Sequence, residues 1–154
     1  MTQSEPIRVA QLVGNAVSGG VPACVFNYYL HVDRTRVQFD FFTYGPSDYD
    51  DKIRALGGQV YYTPNFIKFP AAMRAFSSVL KTEKYDIVHS HLTSLSVFPL
   101  FVAGIHRVPV RICHAHSTTD SHEKTAVVKN TLRHFAATFA TDLFACGAVS
   151  ARWL

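Results

Sequence analysis

Two His-x-His pairs carry most of the chemical potential of this chain. His89 and His91 end the run Tyr85-Asp86-Ile87-Val88-His89-Ser90-His91, and His114 and His116 end Ile112-Cys113-His114-Ala115-His116. On an extended chain both rings of such a pair lie on one side, as a zinc-dependent hydrolase requires. A hydrolase would also need carboxylates. Asp120 and His122 are to hand, whereas Asp40 and Asp86 fall at or inside predicted strands. Proton transfer from a hydroxyl asks for less, a single imidazole titrating near neutrality. That reading puts one histidine of each pair in a cleft and packs the other against the sheet or a helix. His116 leads, because Ser117, Thr118, Thr119 and Asp120 follow it at once. His91, followed by Leu92-Thr93-Ser94, comes next.

The second chemical feature is the loop Gly14-Asn15-Ala16-Val17-Ser18-Gly19-Gly20. Placed between a strand and a helix, it lets backbone approach a phosphate or sugar and presents helix N–H groups to an anion. Its spacing is neither the G-x-G-x-x-G of dinucleotide sites nor a Walker loop with its lysine. Direct NAD or ATP binding of the usual kinds is therefore disfavoured. The plain alternative is a tight turn and nothing more.

For the histidine tips to meet, the runs bearing them must be neighbouring parallel strands. The chain alternates accordingly. Strands are predicted over residues 7–13, 37–44, 60–62, 86–90, 108–113 and 143–146. Helices are predicted between them over residues 22–32, 47–56, 70–81, 92–103 and 126–138, with another starting at 149. Pro22 suits a first helical turn, where its missing N–H costs nothing. Pro99 is expected to kink or divide its helix, and Gly104 to stop it. Val127, Leu132, Phe135 and Phe139 are expected along one side of the last long helix. The alternation predicts an α/β fold, a Rossmann-like doubly wound and mostly parallel sheet with helices on both faces. Ligands of such sheets bind outside the carboxyl ends of the strands.

The bulk properties exclude several classes. Hydrophobic residues make up 48% of the 154 and charged ones 17%, which excludes a disordered chain. A formal charge of +4 without a concentrated basic stripe argues against nucleic acid. It fits a nucleotide, a phosphorylated lipid or an anionic membrane surface equally. Cys24, Cys113 and Cys146 stand far apart among apolar neighbours and read as buried free thiols of a reducing compartment. The start, Met1-Thr2-Gln3-Ser4-Glu5-Pro6, has no signal-peptide build. The most apolar stretch, residues 92–105, is only one soluble helix long. Two segments mix basic and apolar residues: Lys124, Lys129, Arg133 and His134 on the last long helix, and Ile67, Lys68, Phe69 and Arg74. Either could rest on an anionic bilayer, or simply be a solvated face. The chain stops within a helical pattern and reads as one lobe of a longer protein.

With these features in place, the sequence resembles the amino-terminal lobe of retaining GT-B glycosyltransferases of the family 4 type, closest to the bacterial polysaccharide branch. The resemblance runs through Ser18-Gly19-Gly20, Phe39-Asp40-Phe41, Leu56-Gly57-Gly58-Gln59-Val60 and both histidine-tipped strands. It continues into Ser117 and through Thr141-Asp142-Leu143-Phe144-Ala145-Cys146. It covers essentially the whole chain, and the order and spacing of the motifs carry it. Valine and proline at 21 and 22 depart from the alanine and glutamate frequent in relatives.

The resemblance implies that Gly19 and Gly20 approach the donor phosphates and the transferred sugar. The histidine beside the reacting sugar is then His116, or His114 at a shifted register. His91, His114, Ser117 and Thr118 fall on the acceptor side. It further implies hexosyl transfer from a nucleotide sugar to a lipid-linked or saccharide acceptor in cell-surface polysaccharide synthesis. No cofactor and no metal are expected, the nucleotide sugar being a substrate. The expected setting is cytoplasmic, peripheral on the inner face of the membrane. The donor-binding carboxyl-terminal domain is absent from these residues, so this lobe alone is expected to be inactive. The competing readings are a His-x-His metal-dependent hydrolase and a non-catalytic Rossmann-like binding module.

Overall fold

A computed structural model describes residues 5–16, 19–118 and 125–154. Six strands form one all-parallel sheet in the order β3-β2-β1-β4-β5-β6. They are β1 (Ile7–Gly14), β2 (Val37–Thr43), β3 (Val60–Tyr62), β4 (Ile87–Ser90), β5 (Val110–Ala115) and β6 (Asp142–Ala145). The helices are α1 (Gly20–His31), α2 (Asp50–Ala55), α3 (Phe69–Thr82), α4 (Val97–Ile105), α5 (Ala126–Phe139) and α6 (Ala148–Trp153). The predicted alternation and doubly wound parallel sheet are what the chain adopts.

Parallel pairing demands crossovers, and the direction in which the chain leaves β1 decides which face each helix covers. Val25, Phe26 and Tyr29 of α1 and Ile53 of α2 pack on one face with Val13 and Phe41. Phe76 of α3, Leu100 of α4 and Ala136 of α5 pack on the other with Ala10, Leu12, Phe42, Val88 and Cys113. The alternation along β1 and β2 is that of strands buried on both sides.

Several residues act differently from expectation. The helix expected over 92–103 is divided, a 3-10 turn at Thr93–Ser96 leading into α4. Pro99 lies in the first turn of α4, where no helical hydrogen bond is lost. Gly104 stays helical. The stop falls on Arg107, whose φ of 58° is left-handed, with Arg107 N–H donating to Gly104 O and Val108 N–H to Ala103 O.

The buried side of α5 is Ala126, Leu132, Ala136 and Phe139, while Val127 and Phe135 face outward. A 3.6-residue period cannot hold residues 127, 132 and 135 on one narrow stripe. Arg133 is not free for a membrane: its guanidinium donates to Trp153 O and sits 5.1 Å from the Trp153 ring centroid, tying α5 to α6. Lys124, with Thr119, Asp120 and His122, lies outside the described residues. All three cysteines are free thiols, but only Cys113 is buried. Cys24 and Cys146 are exposed; at Cys24 the neighbouring Val25 and Phe26 take the buried positions of α1 and leave the thiol off the core.

Asp40 anchors the amino-terminal half of the sheet. Its carboxylate accepts from Gln59 N–H at 2.8 Å, from the Tyr85 hydroxyl at 2.9 Å and from Arg8. This gives the run Phe39-Asp40-Phe41 and the glycine-bearing turn before β3 a structural role. It also removes Asp40 as a metal carboxylate, since alternation sends its side chain to the face opposite Phe39 and Phe41.

Candidate functional site

In register, Gln11 of β1 is opposite His89 of β4, and His89 is opposite Ile112 of β5. Residues two apart share a face, so Gln11, His89, His91, His114 and His116 all point to one side of the sheet. The expectation of one cleft histidine per pair is therefore corrected. A cleft of about 880 Å³ is lined by all four histidines and Gln11, with Gly20, Val21, Cys24 and Tyr28 of α1 as one wall and Ala145 and Cys146 at the far side.

The imidazoles form a stacked array. Ring centroids are 4.1 Å apart for His89 and His91 and again for His114 and His116. Across the strands, His89 Nε2 is 3.1 Å from His114 Nδ1, and His91 Nδ1 is 2.8 Å from His116 Nε2. His91 Nε2 lies 2.9 Å from Gln11 Oε1. Phe144 meets His89 and His114 edge-on at 5.7 and 5.8 Å.

This network assigns protons. Gln11 Oε1 can only accept, so His91 Nε2 carries a hydrogen and His91 Nδ1 is a lone pair. His116 must then donate from Nε2, which leaves its Nδ1 as an acceptor. Electrostatics keep the array neutral. Burial, with His114 and His116 adding, pushes His89 down to about 3, and burial with His114 pushes His116 down to about 4. Burial lowers His91 strongly and His114 as well. Burial thus favours the neutral form of all four imidazoles. His116 offers a neutral hydrogen-bonding nitrogen.

Gly20, the last residue of the glycine loop, lines the same cleft. Gly19 is the N-cap of α1 with φ of 125°, a conformation that side chains other than hydrogen rarely adopt, and among the described residues no side chain caps the helix there. The first turn of a helix offers N–H groups that have no intrahelical partner, here those of Gly20 and Val21. A Cβ on Gly20 would meet nothing within 4 Å, so that position opens directly on the cleft. Ser117 and Thr118 are exposed beyond His116 and are not among the lining residues. Gln11, Cys24, Tyr28 and Cys146 line the cleft without having been singled out from the sequence. Only Gln11 carried a signal: a glutamine inside a run otherwise patterned for burial on both faces.

Comparison with known proteins agrees on the family and fold. A family model described as a glycosyl transferase 4-like domain matches residues 19–154. EpsF of Bacillus subtilis (strain 168), named as a glycosyltransferase, is 32% identical over 157 residues, covering 96% of this chain and 40% of its own length. Among solved structures, HepE of Anabaena in complex with UDP and glucose superposes with a TM-score of 0.65 at 16% identity, over 89% of this chain and 37% of HepE. Its complex with UDP-glucose gives 0.65 at 15% identity, over 89% and 36%. The chain thus spans about two fifths of the length of each of these proteins.

Proposed function

Because this chain belongs to the glycosyl transferase 4-like family, we propose that it is the acceptor-side lobe of a retaining GT-B enzyme. The enzyme moves a hexosyl unit from a nucleotide sugar to a lipid-linked or saccharide acceptor in cell-surface polysaccharide synthesis. The donor-binding lobe follows in the whole protein, and these residues alone are inactive because half the donor site is elsewhere. One observation carries the reading: Gly20, the first residue of α1, and His116 line one cleft.

The division of labour follows from that arrangement. The N–H groups that open α1 receive the donor phosphate, and the missing side chains at Gly19 and Gly20 let it approach the backbone. His116 accepts a hydrogen bond at Nδ1 from a sugar hydroxyl, while Gln11 and His91 hold its tautomer. His91 and His114, with Ser117 and Thr118 at the rim, flank the acceptor. On this reading the phosphate is met by protein amides, so transfer needs no metal and no cofactor. The similarity of HepE, solved with UDP-glucose, supports a uridine-linked hexose as the first donor to try.

The enzyme works in the cytoplasm, peripheral on the inner membrane face. Among the described residues no helix is long and apolar enough to cross a membrane. Ile67 and Phe69 are 73% and 47% exposed beside the exposed Lys68 and Arg74, past the carboxyl end of β3, and this mixed basic and apolar patch supports the membrane contact. The hydrolase alternative is not favoured, since the family is one of transferases and Asp40 faces away from the histidines. The test is transfer by the full-length protein across a panel of nucleotide sugars, with His116→Ala in parallel. No transfer with any donor and acceptor pair would remove the reading.

A further inference from the structure

We propose that His89, His91 and His114 form a reversible binding site for a divalent transition metal of the zinc class on the floor of the cleft. One nitrogen from each ring can be chosen so that all three lie within 4.8 Å of one another. A tetrahedral zinc with Zn–N bonds of about 2.0–2.1 Å holds its nitrogens roughly 3.3 Å apart. His89 Nε2 and His114 Nδ1 are already at 3.1 Å. A metal there replaces the proton these two nitrogens share, and His91 supplies the third nitrogen.

The supporting structure suits such a site. His89 stands on β4, His91 directly follows it with its N–H bonded to Leu12 O, and His114 stands on the hydrogen-bonded neighbour β5, so the sheet holds the ligands. Gln11 holds His91 Nε2 with a carbonyl oxygen, the outer-shell contact that fixes which nitrogen of a ligating histidine faces the metal. The nitrogen left over is His91 Nδ1, now paired with His116. Metal binding and the His91–His116 hydrogen bond are therefore mutually exclusive. The ligands are all imidazoles and no carboxylate is among the described residues lining the cleft, which selects zinc, copper or nickel over magnesium or calcium. The metal has no part in the proposed transfer, and an effect on transfer would rest on that reading whereas the binding itself does not.

The experiment uses the full-length protein, stripped with chelator and titrated with zinc chloride by calorimetry, with cobalt(II) as a spectroscopic probe. We expect one zinc per chain, tetrahedral cobalt bands without a thiolate charge-transfer band, and no competition from magnesium or calcium. His89→Gln and His114→Gln should each weaken binding by more than about tenfold, the lower end of what loss of even an outer-shell partner costs. His106→Gln, whose ring pairs with Ser77 outside the cleft, should leave it unchanged. No zinc uptake by the wild type overturns the proposal. So does a thiolate band, or binding that survives the double substitution at His89 and His114. The wild-type cobalt spectrum reports the ligand set even if a variant fails to fold. All these readouts are taken without donor or acceptor, so failure of the metal site and failure of the transferase reading are separate results.

Discussion

His91 Nδ1 lies 2.8 Å from His116 Nε2, and the other nitrogen of His91 is held by Gln11 Oε1 at 2.9 Å. A buried glutamine on the central strand thereby decides which nitrogen of an imidazole two strands away is an acceptor. The chain of bonds runs across the sheet from β1 to the tip of β5. Each link is short and each member has one way to satisfy its neighbour.

If His116 meets the sugar, His116→Ala in the full-length enzyme should lower kcat by about 10²-fold or more, the scale of a lost positioned proton-transfer or hydrogen-bonding group. Nucleotide affinity should stay nearly unchanged. Steady-state kinetics with equilibrium nucleotide binding checks this. An alanine variant with full activity would make His116 a packing residue.

Gln11→Leu keeps the bulk of the side chain but leaves His91 Nε2 without a partner. The tautomer of His91 is then no longer fixed, and His116 presents the wrong nitrogen for part of the time. We expect kcat to fall about tenfold, as for about 1.4 kcal/mol of lost transition-state stabilisation, with KM for the donor little changed. Nitrogen-15 chemical shifts of the imidazoles give an independent reading of the tautomer, which a merely structural role for Gln11 would not move.

Gly58 is a packing requirement of the wall formed by α1. A Cβ there would lie 2.6 Å from Phe39 O, 2.8 Å from the Tyr29 hydroxyl and 2.9 Å from Ile53 Cγ2. Tyr29 is fully buried and its hydroxyl donates to Leu56 O at 3.1 Å, so it has no room to retreat. Gly58→Ala should destabilise the fold by about 1–3 kcal/mol, the usual cost of overpacking. Urea unfolding would read it as a lower midpoint at unchanged slope.

Asp50 makes part of the stability pH-dependent. Burial raises its pKa, but hydrogen bonds from Tyr62 and Ser47 outweigh that and hold it below the ordinary carboxylate value. A depressed folded pKa contributes stability above the unfolded value, near 3.9 for aspartate, and loses it as pH falls through the folded one. Asp50→Asn should therefore cost roughly 1–3 kcal/mol at neutral pH. The gap to wild type should narrow as pH falls below about 4. A gap constant down to low pH would show that the carboxylate charge is irrelevant.

Vesicles of anionic lipid should bind the full-length protein, and binding should weaken as salt rises, since exposed charges are screened within about 10 Å at 0.1 M. Lys68→Glu with Arg74→Glu should reduce binding further, and Ile67→Ser should reduce it at every salt concentration. Arg133→Gln should not, because that guanidinium is engaged with Trp153. Co-sedimentation measures all of these, and salt-insensitive binding would exclude the electrostatic component.

By itself the sequence determined the strands and helices, because the period of apolar residues and the turn chemistry at Gly14–Gly20, Gly57-Gly58 and Pro64 are local properties. It also determined that each His-x-His pair shares a side, since alternation along a strand is local. What it left open is non-local. Which strands are neighbours, and in what register, depends on crossovers between segments dozens of residues apart. Only that register stacks the two pairs into one array, sets Gln11 against His91, and buries the rings enough to keep them neutral. Tertiary packing likewise turned Cys24 toward the cleft and Arg133 toward α6, because a helix's exposed side is defined by what packs against the other.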